Sequence, residues 1–286
     1  MAENQKTGKW VEVIEPKAAM LDFKLKEIWR YRNLLQMLVI RDIVSVYRQT
    51  VLGPIWFMVQ PIMTTVVYTI IFGRFAGLSS DGQPRLLFYL SGIIIWNYFS
   101  ECFLKTSTVL KTNQSMFKKI YFPRLIMPLS IIASTFFRFL IQYLMFIIFL
   151  VNDIMSGDSS VKPNAYMLLT PVLLVIMAGI SLGVGMLFSA LTIRYRDLVF
   201  IVNFGVSLLM FATPIIYPIS SIPEQYKIYA ELNPLTPIVE CFRYAYLGSG
   251  TFSPASLGYS VLAMFGLLFI GLIVFNRIQR TFIDFI

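Results

Sequence analysis

From residue 55 onward, long apolar runs alternate with short polar connections, and six of the runs are long enough to cross a membrane as helices. They lie near 55–72, 86–104, 125–151, 166–193, 198–217 and 255–275. About 20 residues at helical rise cover the roughly 30 Å hydrocarbon core, so 125–151 and 166–193 should tilt or project beyond it. The polar head is patterned too. In LDFKLKEIWRYRNLL, Leu21, Leu25, Ile28, Trp29 and Leu35 fall near one helical face, with Lys24, Lys26, Arg30 and Arg32 elsewhere. That pattern suits a helix lying in a membrane interface, or a soluble helix packed on a partner. Residues 1–16 read as a solvated tail.

Local signals refine these elements. Pro54 falls in the first turn of the first run, where its missing N–H is harmless and its φ is already helical. Pro61 falls inside, where it should free the Phe57 carbonyl and kink the helix, leaving Gln60 available to a neighbour. In the fourth run Gly179 and Gly183, then Gly185 and Ser189, form small-xxx-small pairs that let helices approach closely. The segment 218–254 is rich in proline, yet IVECFRYAYL within it is too apolar for a wet loop. Part of it should re-enter the outer leaflet or pack on the spans, as a short helical hairpin would. Matching broken helices in the two halves are not seen, so no internal repeat is read.

Composition then sets the class. The hydrophobic share is 57%, the charged share 14% and the mean hydropathy +0.71, as in a polytopic membrane protein. Glu3, Glu12 and Glu15 precede any apolar run, so no cleavable signal peptide is expected and the head should stay in the cytoplasm. With both termini inside, Lys and Arg number 18 on the cytoplasmic side against 5 outside. This asymmetry fits the orientation and leaves the net charge of +9 without need of a nucleic-acid partner. There is no histidine, and Cys102 and Cys241 stand alone, so neither a metal site nor a disulfide is expected.

The chemistry on offer is sparse. Gly8-Lys9 resembles the end of a phosphate-binding loop, but Glu3 and Trp10 occupy the positions of the earlier glycine and the magnesium ligand, so this chain should not bind ATP. Glu101 and Arg138 are the intramembrane charges; they either pair across helices or snorkel to separate interfaces. An ion relay through them, or simple anchoring, are both open. The exterior acids are scattered and flanked by no nucleophile motif, which leaves little for a membrane-bound transferase. Aromatic stripes run along three spans: Phe57 and Tyr68 with Thr64, then Trp96, Phe99 and Phe103, then Phe200, Phe204 and Phe211. Such rings face lipid, or else line a conduit in which sugar faces could stack.

YRQTVLGPIWFMVQP at 47–61 resembles the entry to the first span of ABC-2 type permeases, the transmembrane subunits of ATP-binding cassette exporters of O-antigen, capsular polysaccharide or teichoic acid. FPRLIMPLS at 122–130, IRYRDL at 193–198 and ATPIIYPISSIPEQYKIYAELNPLTPIVECFRYAYL at 212–247 resemble the same family, in the same order. The resemblance implies an all-α integral membrane protein: a cytoplasmic tail (1–20), an amphipathic interface helix with its lead-in (21–54), a six-span permease domain (55–275) and a cytoplasmic C-terminus (276–286). Short exterior gate helices would occupy 218–254, carrying Glu240, Phe242, Arg243 and Tyr244. It also implies a homodimer with two copies of a separate cytoplasmic ATPase, which would hold ATP and magnesium, so this chain needs no cofactor and is no enzyme. Phe57, Gln60, Tyr68, Phe204 and Phe211 would line the conduit. Lys118 and Lys119, with Arg194, Tyr195, Arg196 and Asp197, would meet the ATPase. The expected substrate is an undecaprenyl-linked polysaccharide, O-antigen first, crossing the bacterial inner membrane among its lipids. Teichoic acid or capsular polysaccharide export comes next, then lipid or drug export on the same fold, then ion-coupled transport.

Overall fold

The computed structural model describes residues 25–48, 53–119, 122–157 and 160–281, and among them every regular element is helical. The predicted tail, the start of the interface helix to residue 24, part of its lead-in (49–52) and the last residues (282–286) lie outside the described residues. The head forms α1 (Leu25–Arg30) and α2 (Arg32–Tyr47). Tyr31, Leu34, Leu35 and Leu38 pack it on Val109, Leu110, Ile126 and Met127, while Trp29, Met37 and Ile40 stay exposed. The head thus packs on its own bundle and still presents apolar side chains outward.

Five helical segments are long and apolar enough to cross a membrane. The first, Gly53–Phe75, begins in a turn containing Pro54, continues as α3 (Trp56–Tyr68) and ends in a π-helical stretch at Thr69–Phe75. Pro61 sits inside α3, as read from the sequence, and the Thr65 hydroxyl donates to its carbonyl at 2.7 Å. The others are α4 (Arg85–Ser107), the long α7 (Ile126–Met155), the segment Ala165–Thr192 that contains α8 (Thr170–Thr192), and α12 (Pro254–Thr281). Between α4 and α7 lie the short α5 (Val109–Thr112) and α6 (Gln114–Lys119).

The fifth apolar run is shorter than its hydropathy suggests. Its helix, α9 (Leu198–Ala212), has 15 residues, roughly 22 Å of rise, and stops five residues before the predicted end. Pro214 is the reason: its ring forces Thr213 out of the helical region, and Thr213 takes φ −101° and ψ 140°. Beyond it come α10 (Glu224–Glu231) and α11 (Thr236–Leu247), the two short helices anticipated in 218–254. Pro237 opens α11, and Gly248, in the left-handed region at φ 76°, closes it.

α4 is the hub, packing against α3, α7, α8, α9 and α11. The tightest crossing joins α8 to α12. A Cβ on Gly183 would lie 2.6 Å from the Leu267 backbone, and one on Gly271 would lie 2.4 Å from the Gly183 carbonyl. Gly185 and Ser189 serve the other side of α8, against Thr106 and the Leu110 N–H. Both small-residue pairs are thus packing faces, toward different neighbours.

Candidate functional site

Arg138 lies twelve residues into α7, and its guanidinium reaches the Glu101 carboxylate on α4. Lys105, one turn beyond Glu101, forms an ion pair with the same oxygen at 2.7 Å. The two intramembrane charges therefore pair across helices, and their third partner is a lysine that the i,i+4 spacing allowed. The Arg138 guanidinium also lies 4.8 Å from the centre of the Phe57 ring, which buries Phe57. That ring face is occupied within the chain, whereas Gln60, one turn on, is exposed. Tyr68 is half-buried, edge-on to Phe72 and Tyr89, with its hydroxyl 3.7 Å from the Met210 sulfur on α9.

The three aromatic stripes separate clearly. Trp96, Phe99 and Phe103 stack successively, with Phe188 of α8 beyond them, and all three are buried core. Phe200, Phe204 and Phe211 stand out from α9 at 78%, 66% and 53% exposure, a bare aromatic face.

At the opposite end, α11 is nearly enveloped. Glu240, Phe242 and Arg243 are buried, and Tyr244 is partly covered by Tyr166 and Phe252. Arg243 donates to the carbonyls of Pro214 and Ile215, lies 3.8 Å over the Phe88 ring and stands 3.7 Å from Glu240. Glu240 accepts a further bond from the Thr251 N–H at 3.2 Å. Gly92 makes room for the guanidinium: a Cβ there would sit 2.9 Å from Nη2. Burial pushes the Glu240 carboxyl above its usual range and the Arg243 guanidinium down to about 10, and each ion partly restores the other. One arginine thus ties the chain after α9 to both α11 and α4. This tie was not foreseen; a charged pair three residues apart within an apolar helix was its only sequence signal.

The surface connections are pinned as well. Ser220 donates to Asp81 at 2.7 Å, joining the 73–85 connection to the one before α10. Asn233 donates to Thr213 at 2.8 Å, and Ser260 donates to the Pro234 carbonyl at 2.7 Å. Beside α10, Tyr217, Tyr226 and Tyr229 line an open recess of about 430 Å³ with Leu78 and Ala212.

The residues assigned to ATPase contact occupy the end of the bundle shared by α5, α6 and the α8–α9 turn. Thr192 donates to the Ser107 carbonyl at 2.6 Å, which holds that turn beside the end of α4. Lys119 is exposed, as are Arg194, Tyr195, Arg196 and Asp197; the Lys118 side chain lies outside the described residues. Arg194 lies over the Tyr195 ring at 5.4 Å. Among the described residues no group of three Cys, Asp or Glu converges as metal ligands, and Cys102 and Cys241 are separate buried thiols.

Comparison with known proteins places this architecture. A family described as ABC-2 type transporter matches residues 33–247. The chain is 25% identical to the O-antigen export system permease protein RfbA of Klebsiella pneumoniae, over 88% of its length and 94% of that protein's. It is 26% identical to the Myxococcus xanthus RfbA, over 77% and 82%, and 29% identical to the polysialic acid transport protein KpsM of Escherichia coli, over 86% and 93%.

Proposed function

Because this chain belongs to the ABC-2 type transporter membrane family, we propose that it is the permease subunit of an ATP-driven exporter of lipid-linked polysaccharide, with O-antigen as substrate. The observation that carries the substrate class is the near-full-length similarity to permeases named for O-antigen and polysialic acid transport. At about 25% identity, capsular polysaccharide or teichoic acid is the nearest alternative cargo, ahead of lipids, drugs or an ion-coupled substrate.

In this reading two copies of the chain form the conduit, and α9, extended by residues 213–217, is the sixth crossing. Both termini face the cytoplasm of a bacterial inner membrane. The exposed face of α9, with Phe204 and Phe211, supports a conduit wall, to which Gln60 and Tyr68 of the first span would add. Aromatic faces contact successive sugars without selecting one hydrogen-bond pattern, so a long glycan can slide. Phe57, covered by Arg138, steadies the first span rather than lining the conduit. Two copies of a separate ATPase bind at α6 and the Arg194–Asp197 turn, and their closure on ATP and magnesium tilts the spans. The α10 and α11 helices then act as an exterior gate, hinged on the chain that Arg243 holds.

Reconstitution tests this directly. In a strain lacking its own exporter, the chain with a partner ATPase should bring lipid-linked glycan to the surface, and a hydrolysis-dead partner should leave the glycan inside. Equal surface glycan with the dead partner would sink the ATP-driven reading. Retention with the active one, despite a folded complex, would sink the cargo assignment.

A further inference from the structure

A polar cavity of about 390 Å³ lies where α2, the end of α4, α5 and the first half of α7 meet. Arg41, Lys105 and Arg138 line it, together with Asp42 and the polar side chains of Thr112 and Asn113. Its charges do not balance. Arg41 is bound to Asp42 at 2.8 Å, and Lys105 and Arg138 share the single Glu101. Among the described residues three cations thus meet two carboxylates, and Lys105 shares its carboxylate with Arg138. The site is also open, unlike the sealed Glu240–Arg243 pair: the side chains of Arg41, Lys105 and Arg138 are 48%, 39% and 18% exposed.

We propose that this cavity binds the phosphodiester of an anionic phospholipid, which clamps α2 to α4 and α7. A phosphodiester carries one negative charge, which matches the surplus of one cation, and its two free oxygens can accept from Arg41 on one side and Lys105 on the other. A diphosphate, with two charges, would exceed that surplus. Depth agrees as well. Exposed Trp29, Met37 and Ile40 suit α1 and α2 to the interfacial zone, where Trp rings sit at headgroup level. α7 is roughly 45 Å long, about 15 Å more than the hydrocarbon core, so its early turns can project among the headgroups beside α2. The cavity volume accommodates a phosphate with its flanking glycerol carbons. The inference rests on the membrane placement given above but not on the cargo.

Delipidated, purified chain would be titrated with phosphatidylglycerol, phosphatidylcholine or undecaprenyl diphosphate in detergent, with bound lipid counted by native mass spectrometry. One tightly held phosphatidylglycerol per chain is expected, preferred about tenfold over phosphatidylcholine, one charge-assisted contact's worth. Lys105→Gln and Arg41→Gln should each lose about that factor, while Lys105→Arg keeps the binding and shows that the fold survives. Equal retention by the Gln variants would overturn the site. Tighter binding of undecaprenyl diphosphate would overturn the phospholipid assignment and give the cavity to the cargo. Because no ATPase or glycan enters this measurement, its failure leaves the export reading standing, and failed export leaves it untouched.

Discussion

Arg243 shows most directly how a single side chain organises this molecule. A buried guanidinium is costly unless its donors and its charge are met; here two carbonyls accept from Nη1 and Nη2, a ring face covers it and a carboxylate at 3.7 Å offsets the charge, while Nε has no hydrogen-bond partner among the described residues. Removing one partner exposes that cost. Arg243→Met is expected to destabilise by about 3–5 kcal/mol, because Glu240 stays buried alone, and Glu240→Gln added to it should recover part of the loss. Thermal unfolding in detergent measures both, and a single variant that melts like the parent would show that the clamp holds nothing. The Glu240 carboxyl is raised from its ordinary 4.5, so the folded state keeps a proton that the unfolded state has released. Its contribution to stability is therefore complete at low pH and declines as pH climbs from there through the folded value. Glu240→Gln should flatten that part of the stability-against-pH curve, and an unchanged slope would assign it to other groups. Glu240 and Arg243 stand three apart in the chain, so their pairing was legible. Phe88, Gly92 and the Pro214 carbonyl come from distant segments, and no local pattern announces them.

Among the elements, α8 carries the clearest division of labour. Its glycines at 179 and 183 serve α12, and Gly185 serves α4, because residues four apart share a face and residues two apart do not. Gly183→Val should cost about 1–3 kcal/mol by forcing the Leu267 backbone away. Gly266→Ala on α12 meets nothing within 4 Å and should be neutral or gain up to about 1 kcal/mol. Unfolding midpoints decide between them; equal effects would mean that the crossing is looser than its contacts imply. α9 teaches the opposite lesson about runs of hydropathy. Its apolar character continues through IIY, but Pro214 ends the helix, and composition alone could not weigh one proline against the three apolar residues that follow it.

At the scale of the whole molecule, the distribution of aromatic side chains separates the fold from the proposed transport. Phe99 is buried among rings, and Phe99→Ala should cost about 3–5 kcal/mol in stability. Phe204→Ala and Phe211→Ala touch exposed positions and should shift stability by less than about 0.5 kcal/mol. Both should nevertheless slow glycan export in the reconstituted exporter with ATP hydrolysis retained. Normal export rates from the Phe204→Ala, Phe211→Ala double variant would return the α9 face to lipid or to subunit packing. The same contrast explains why three stripes that look alike in sequence differ in fate: each span shows the same period, and only its neighbours decide which face is covered.

Read alone, the sequence determined the membrane class, the approximate positions of five spans and the packing role of the small residues. Each of these follows from hydrophobic length or local spacing, which act within a turn or a single segment. Tertiary structure decided that Arg138 and Lys105 share Glu101, that Phe57 is occupied by Arg138, that Trp96, Phe99 and Phe103 form core, and that Arg243 ties three segments together. These depend on which helices lie side by side, and that choice is made by the fit of whole faces. No single segment encodes it.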